Sequence, residues 1–535
     1  MPMRSQRPAF TLAAAATLSA LLAWGAPALA RDLVVALKTE PTSMDPQYHA
    51  LTPNIQLSQT LLDPLVCPDA ELAPKPCLAE SWSAEGSTWT FKLRPNVKFS
   101  DGTPFTSADV VFSFERVPKV PNSPSSFNIY LQQVSKVEAV DPLTVRITTV
   151  KPYPLVPINL TGLPILSAKA ASGAAPEGKT TTEMNAGTGL VGAGPYRFVS
   201  WKRGSEIVFE RNPHYWGPKP AWDRVVYRPI TNPAARVAAL LAGDVDLVED
   251  PPTDDLARLQ KDPKLNVVTK PSNRVIYVAL DQHGDQTPGI TGADGKPLAR
   301  NPLRDKRVRE ALSLAIDRKA LVDRIMGGVA TPAAQLLPYP MLGASPNLTQ
   351  APKADVEKAK ALLKEAGHPD GFNLVLGAPN GRYINDSKVA QTLAAMWTRI
   401  GVKTTIDSNA PPVFFKNRDS HAYSAYLAGW GTATGEMSNT LNSLLVTPNK
   451  EKGVGTTNRS RYSNLEMDRL VEASAAVMDS SKRGALLAKA SELAMADFAM
   501  LPVHFEHSVW AMKKGLAFTG RADQMTMVQY VTPAK

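Results

Sequence analysis

The run from Leu78 to Phe114 constrains this 535-residue chain more than any other stretch. Trp89, Phe91 and Leu93 alternate with Thr88, Thr90, Lys92 and Arg94, the period of a strand with one buried face. Pro95-Asn96 interrupts the alternation, Val97 and Phe99 resume it as a second short strand, and Asp101-Gly102 signals another turn. Thr106 then offers an N-cap hydroxyl, with Asp109 three residues on as its capping-box partner. The run therefore predicts strand, turn, short strand, turn and helix. None of its side chains forms a catalytic constellation.

The order and identity of these residues, beginning at Leu78-Ala79-Glu80-Ser81-Trp82, resemble the family-5 extracellular solute-binding proteins of ABC importers. That group includes dipeptide-, oligopeptide- and nickel-binding proteins. Further segments carry the same resemblance: Gly192-Ala193-Gly194-Pro195-Tyr196, Asn212-Pro213-His214-Tyr215-Trp216-Gly217, Gly243-Asp244-Val245-Asp246 and Gly367-His368-Pro369-Asp370-Gly371-Phe372. The resemblance spans Arg31 to about Pro502. It implies an α/β, two-lobed binding protein with a hinge, a central cleft and an extra sub-domain in the first lobe. On this basis residues 31–274 and 503–535 form lobe I, with a sub-lobe at about 60–190, and residues 275–502 form lobe II. The crossings are expected near Asn273–Tyr277 and near Pro502–Phe505.

The residues themselves agree with export. Arg4 and Arg7 precede an apolar stretch from Phe10 to Trp24, and Ala28-Leu29-Ala30 is a small-x-small cleavage signal, so residues 1–30 read as a signal peptide. The expected location is the periplasm. The net charge of +10 does not point to nucleic acid, because Lys and Arg are scattered among 49 acidic residues without interleaved aromatics. Cys67 and Cys77 flank the polar turn Asp69-Ala70-Glu71, and two strand-like arms would bring them within disulfide reach in an oxidising compartment. Two free thiols are the alternative.

Helical stripes mark the second half. Val308, Ala311, Leu312 and Ala315 follow a cap at Asp305; Val356, Ala359, Leu363 and Ala366 follow one at Asp355; Val389, Leu393, Met396, Trp397 and Ile400 end at Gly401. Val402, Thr404 and Ile406 then alternate as a strand, an arrangement suited to parallel pairing.

For the ligand site, the resemblance implies a Gly-Trp loop whose Asp takes a peptide amine and an Arg that takes the carboxylate. Gly429 and Trp430 keep the frame, Ala433 stands at the Asp position, and Glu436 is the nearest carboxylate. Either Glu436 substitutes or the ligand lacks a free α-amine. Arg382 falls at the position of the carboxylate-binding Arg, with Tyr383 beside it; a guanidinium matches a carboxylate in two-point geometry. Tyr48 and His49, after the first strand, are further candidate contacts.

The expected function is capture of a small peptide or peptide-like, carboxylate-bearing solute by a monomer that delivers it to an inner-membrane ABC permease, without cofactor or resident metal. A nickel-metallophore or opine ligand is the alternative, and an orphan hydrolase a lesser one. His504 and His507 are three apart in a strand-like segment and face opposite ways, which suits no joint metal site. No Gly-x-Ser-x-Gly, His-Glu-x-x-His or phosphate-binding loop points to an enzyme.

Overall fold

In the computed structural model, which describes Met1, residues 32–432 and residues 434–534, the Leu78–Phe114 run builds a sub-lobe. The signal peptide expected over residues 1–30 falls, Met1 apart, outside the described residues, as does Ala433. Strands Ala79–Glu85, Thr88–Leu93, Thr144–Thr149 and Val134–Asp141 form a four-stranded sheet, paired antiparallel in that order. Trp89, Phe91 and Leu93 are buried in its core with Val97, Phe99 and Phe105. Helix Ser107–Arg116 begins where expected, with the Thr106 N–H donating to Asp109 Oδ2 at 2.8 Å. The second short strand is a correction. Lys98 makes only an isolated bridge to Pro104, flanked by the Phe99 N–H donating to the Thr103 carbonyl at 2.8 Å and the Phe105 N–H donating to the Val97 carbonyl at 3.0 Å. The alternation of Val97 and Phe99 reports burial there together with pairing limited to this single bridge, too short for a strand.

The main sheet is mixed and contains twelve strands among the described residues. One half is built on Asp32–Leu37, which runs parallel to both Arg224–Pro229 and Leu247–Glu249. Helix Pro233–Ala242 connects the latter two. Asn232 caps it through Ala235 N–H, Pro233 stands where no donor is needed, and Gly243 ends it with φ at 87°. Asp246 just beyond accepts from Val34 N–H and pairs with Lys513, so the Asp-x-Asp motif ties strands together.

In the other half, strands Phe372–Pro379 and Val402–Asn409 run parallel, joined by helix Asp386–Thr398. The apolar stripes expected from the sequence meet in one core that includes Val308, Leu312, Leu363, Leu393 and Trp397.

Two long strands, Leu265–Leu280 and Leu501–Lys513, run through both halves. Residues 265–271 pair with 507–513, while residues 275–278 pair with 501–505. Between them the register breaks, and Ser272-Asn273-Arg274 bulge out. Ser272 Oγ donates to the Glu506 carbonyl at 2.8 Å, which fixes the bulge against the partner strand.

The hairpin Val66–Pro68/Pro74–Pro76 projects from the sub-lobe, and Cys67 and Cys77 are disulfide-bonded across it with Cα atoms 5.3 Å apart.

Candidate functional site

Strand Ala425–Gly431 pairs antiparallel with Leu265–Leu280, so Gly429 faces Ile276, Trp430 faces Val275 and Gly431 faces Arg274. This pairing delivers the Gly-Trp loop to the crossing. Gly429 is required by packing: a Cβ there would lie 2.8 Å from both Ile276 Cδ1 and Tyr383 Cε1. Tyr383 donates its hydroxyl to the Gly429 carbonyl at 3.2 Å. Trp430 is half-buried, and its indole N–H has no acceptor among the described residues.

Arg382 sits on a loop shaped by Asp386, whose carboxylate accepts the N–H groups of Gly381, Arg382 and Tyr383 at 3.1, 2.7 and 3.0 Å. The exposed Arg382 guanidinium lies 5.2 Å from the Tyr383 ring centroid and has no carboxylate partner among the described residues. Arg382, Tyr383, Gly429 and Trp430 thus form one neighbourhood.

Glu436 lies apart from this neighbourhood. Its carboxylate is buried, with Oε2 3.0 Å from Arg483 Nε and Oε1 accepting from Ser438 Oγ at 2.6 Å. It borders a cavity of about 760 Å³ between residues 129–159 and residues 434–483. Tyr130, Tyr153 and Asn159 line one side, and Thr434, Glu436 and Asn439 the other. Burial pushes the Tyr130 hydroxyl up to about 12, keeping it a neutral donor at ordinary pH. Asn439 Oδ1 is buried without a donor among the described residues. Of the residues expected at the site only Glu436 lines this cavity; Arg382, Tyr383, Gly429, Trp430, Tyr48 and His49 do not. The Tyr48 carbonyl accepts from Ser123 Oγ, and His49 Nδ1 lies 2.9 Å from Thr42 Oγ1.

A charged cluster at the crossing was not singled out in the sequence. Lys38, at the end of the first strand, pairs with Asp250, and Arg274 Nε lies 3.6 Å from Glu506 Oε2. Burial pushes the Lys38 ammonium down, but Asp250 and Glu249 more than offset this and hold it above its ordinary value. Burial raises the Glu506 carboxyl, with Arg274 and the Ile384 N–H opposing it. Asp250 reaches this position in the left-handed region, with φ at 41°, which no sequence pattern announces.

The grouping with metal-ligand proximity among the described residues is Asp63 with Cys67 and Cys77, and both sulfurs are committed to the disulfide.

Two lobes joined by crossing strands, with a cavity of mixed polar and apolar lining beside Glu436, suit a solute-binding protein. The family described as bacterial extracellular solute-binding proteins, family 5 middle, matches residues 73–452, and the chain belongs to it. It is similar to the glutathione-binding protein GsiB of Salmonella typhimurium LT2, at 30% identity over 499 residues and 92% of each chain. Among solved structures it resembles the periplasmic binding protein DppA of Helicobacter pylori in complex with the peptide STSA, at 25% identity and a TM-score of 0.75 over 94% of this chain and 98% of that one. AgaA of A. tumefaciens R10, in complex with agropinic acid, is also 25% identical, with a TM-score of 0.73 over 94% and 99%.

Proposed function

We propose that this chain captures a small peptide or peptide-like solute bearing a carboxylate and delivers it to an ABC permease. The observation that carries this reading is Arg382, a guanidinium beside the Tyr383–Gly429 contact with no carboxylate partner among the described residues. A ligand carboxylate supplies the missing acceptor. The indole N–H of Trp430 adds a donor on the same loop. A separate cavity beside Glu436, at about 760 Å³ and not lined by Arg382, is of a size to hold a small peptide. GsiB, by name a glutathione-binding protein, and the DppA complex with STSA support the same class.

An opine-like solute without a free α-amine is the second reading. Glu436 already has Arg483 and Ser438 on its oxygens, so it is not an open partner for an ammonium. The AgaA complex with agropinic acid supports it.

On this reading the protein acts as a periplasmic monomer released from a signal peptide over residues 1–30, and binds without doing chemistry. Lobe I comprises residues 31–274 and 503–535, and lobe II residues 275–502. Calorimetric titration with glutathione, Ala-Ala-Ala, N-acetyl-Ala-Ala-Ala, agropinic acid and nickel–histidine tests it. Binding of a carboxylate-bearing compound is expected; binding of the nickel complex alone would overturn the proposal.

A further inference from the structure

The disulfide hairpin touches three parts of the molecule at once. At its tip, Asp69 Oδ1 accepts the N–H groups of Glu71 and Ala73, both at 2.9 Å, so the turn is held in a set shape. Leu72 follows with φ at 69°, an unfavourable conformation for a side chain of its size, and is nevertheless buried to 9% exposure. What buries it includes lobe II: a Cβ placed on Gly435 would lie 3.3 Å from Leu72 Cβ. The hairpin therefore reaches from the sub-lobe to the segment bordering the cavity.

The same tip is bonded to lobe I and, through it, to the crossing. Glu71 forms an ion pair with Lys270, on the long strand just before the bulge. The Ala70 carbonyl accepts from Ala522 N–H at 2.9 Å. The Ala522 carbonyl in turn accepts from Asn273 N–H at 3.1 Å, and Asn273 Nδ2 donates to the Thr432 carbonyl at 2.7 Å. A continuous chain of bonds thus runs from the hairpin tip, through the C-terminal segment and the bulge, to the start of the ligand loop.

We infer that the Cys67–Cys77 hairpin is a latch that positions the ligand loop, with Leu72 seated against Gly435 and Ala70 tied through Ala522 and Asn273 to Thr432. Leu72 touches no ligand in this assignment; it is a positioning residue. The disulfide shortens the hairpin's range of motion, so that the tip arrives at Gly435 in one place. Its effect falls on how long a closed site retains solute more than on how fast solute enters, because the contact exists only when the lobes and sub-lobe are together. The part concerning solute rests on the function proposed above; the part concerning the loop does not.

The test uses the full mature chain in three forms: wild type, Leu72→Ala with the disulfide intact, and Leu72→Met as the conservative variant. Hydrogen exchange of the amides in residues 434–444 is followed without ligand, with strand Thr144–Thr149 as an internal reference. In Leu72→Ala the 434–444 amides should exchange roughly tenfold faster while the reference strand does not, and Leu72→Met should restore most of the protection. Release of glutathione, measured by stopped flow, should accelerate severalfold with little change in its association rate. Unchanged exchange at 434–444, or equal acceleration in Thr144–Thr149, would overturn the latch. Failure of wild type to bind glutathione would count against that ligand alone, and the exchange result would still decide the latch.

Discussion

The side-chain amide of Asn273 donates to the carbonyl of Thr432 at 2.7 Å, joining the bulge of a crossing strand to the ligand loop 159 positions later. Both residues are buried. The bond makes the bend between the lobes and the placement of the loop parts of one structure. Asn273→Ala leaves the Thr432 carbonyl unsatisfied, and the expected loss of stability is about 1–3 kcal/mol in urea unfolding. Ligand affinity should fall as well. Full affinity in a correctly folded variant would detach the loop from the bulge.

Arg382 offers the opposite case, since its exposed side chain supports little structure. Arg382→Ala should leave the unfolding midpoint within about 0.5 kcal/mol of wild type. Affinity for a carboxylate-bearing ligand should drop by about 1.5–3 kcal/mol, the range for a charged hydrogen bond, while the matching amide is bound equally by both proteins. Calorimetry on the acid and its amide reads this difference. Equal losses for acid and amide would remove Arg382 from the carboxylate's partners.

Glu436 and Arg483 form a buried pair, so breaking it exposes the expense of an unpaired charge. Glu436→Gln should destabilise by about 3–5 kcal/mol, and joint replacement of Glu436 and Arg483 by apolar residues of similar volume should recover most of this. At a temperature where Glu436→Gln remains folded, free-amine and N-acetylated tripeptides should lose affinity to the same degree. A loss confined to the free-amine peptide would assign Glu436 to the ammonium after all.

Asp63 gives the fold a dependence on pH. Burial lifts its carboxyl from 3.8 to about 7, against a 2.7 Å bond from Trp216 Nε1 and the charge of Arg94. The folded protein therefore keeps a proton that the unfolded chain has released. Stability from this group is complete below about pH 4 and is lost as pH rises toward 7. Asp63→Asn removes the titration and retains an acceptor for Trp216. Its stability relative to wild type should grow by roughly 2–3 kcal/mol between pH 5 and pH 8. Parallel stability curves across that range would refute the assignment.

The amino-acid order alone determined much of the local structure. The Trp89–Leu93 strand, the Thr106 cap, the helix stripes ending at Gly367 and Gly401 and the nearness of Cys67 to Cys77 all depend on neighbours within about a dozen positions. Periodicity and turn chemistry report such neighbours, and the resemblance carried by the Leu78–Phe114 run gave the class. They also placed Arg382, Tyr383, Gly429 and Trp430, which the fold brings into one neighbourhood. Where local pattern overreached, at Val97 and Phe99, the alternation was read as a strand where the turn at Asp101-Gly102 leaves room for a single bridge.

Only the tertiary structure decided which charges meet. Glu436 finds Arg483 47 positions on, and Lys38 finds Asp250 212 positions on. Asn273 reaches Thr432, and Leu72 reaches Gly435, only after two lobes and a sub-lobe have packed. A carboxylate's role depends on the ions and donors around it in space, and side chains this far apart along the chain leave no periodic trace in the sequence. The sequence thus determined a family of solute-binding proteins and the frame of its loop. Through-space pairing determined that Glu436 is ion-paired with Arg483 and that Arg382 has no carboxylate partner among the described residues.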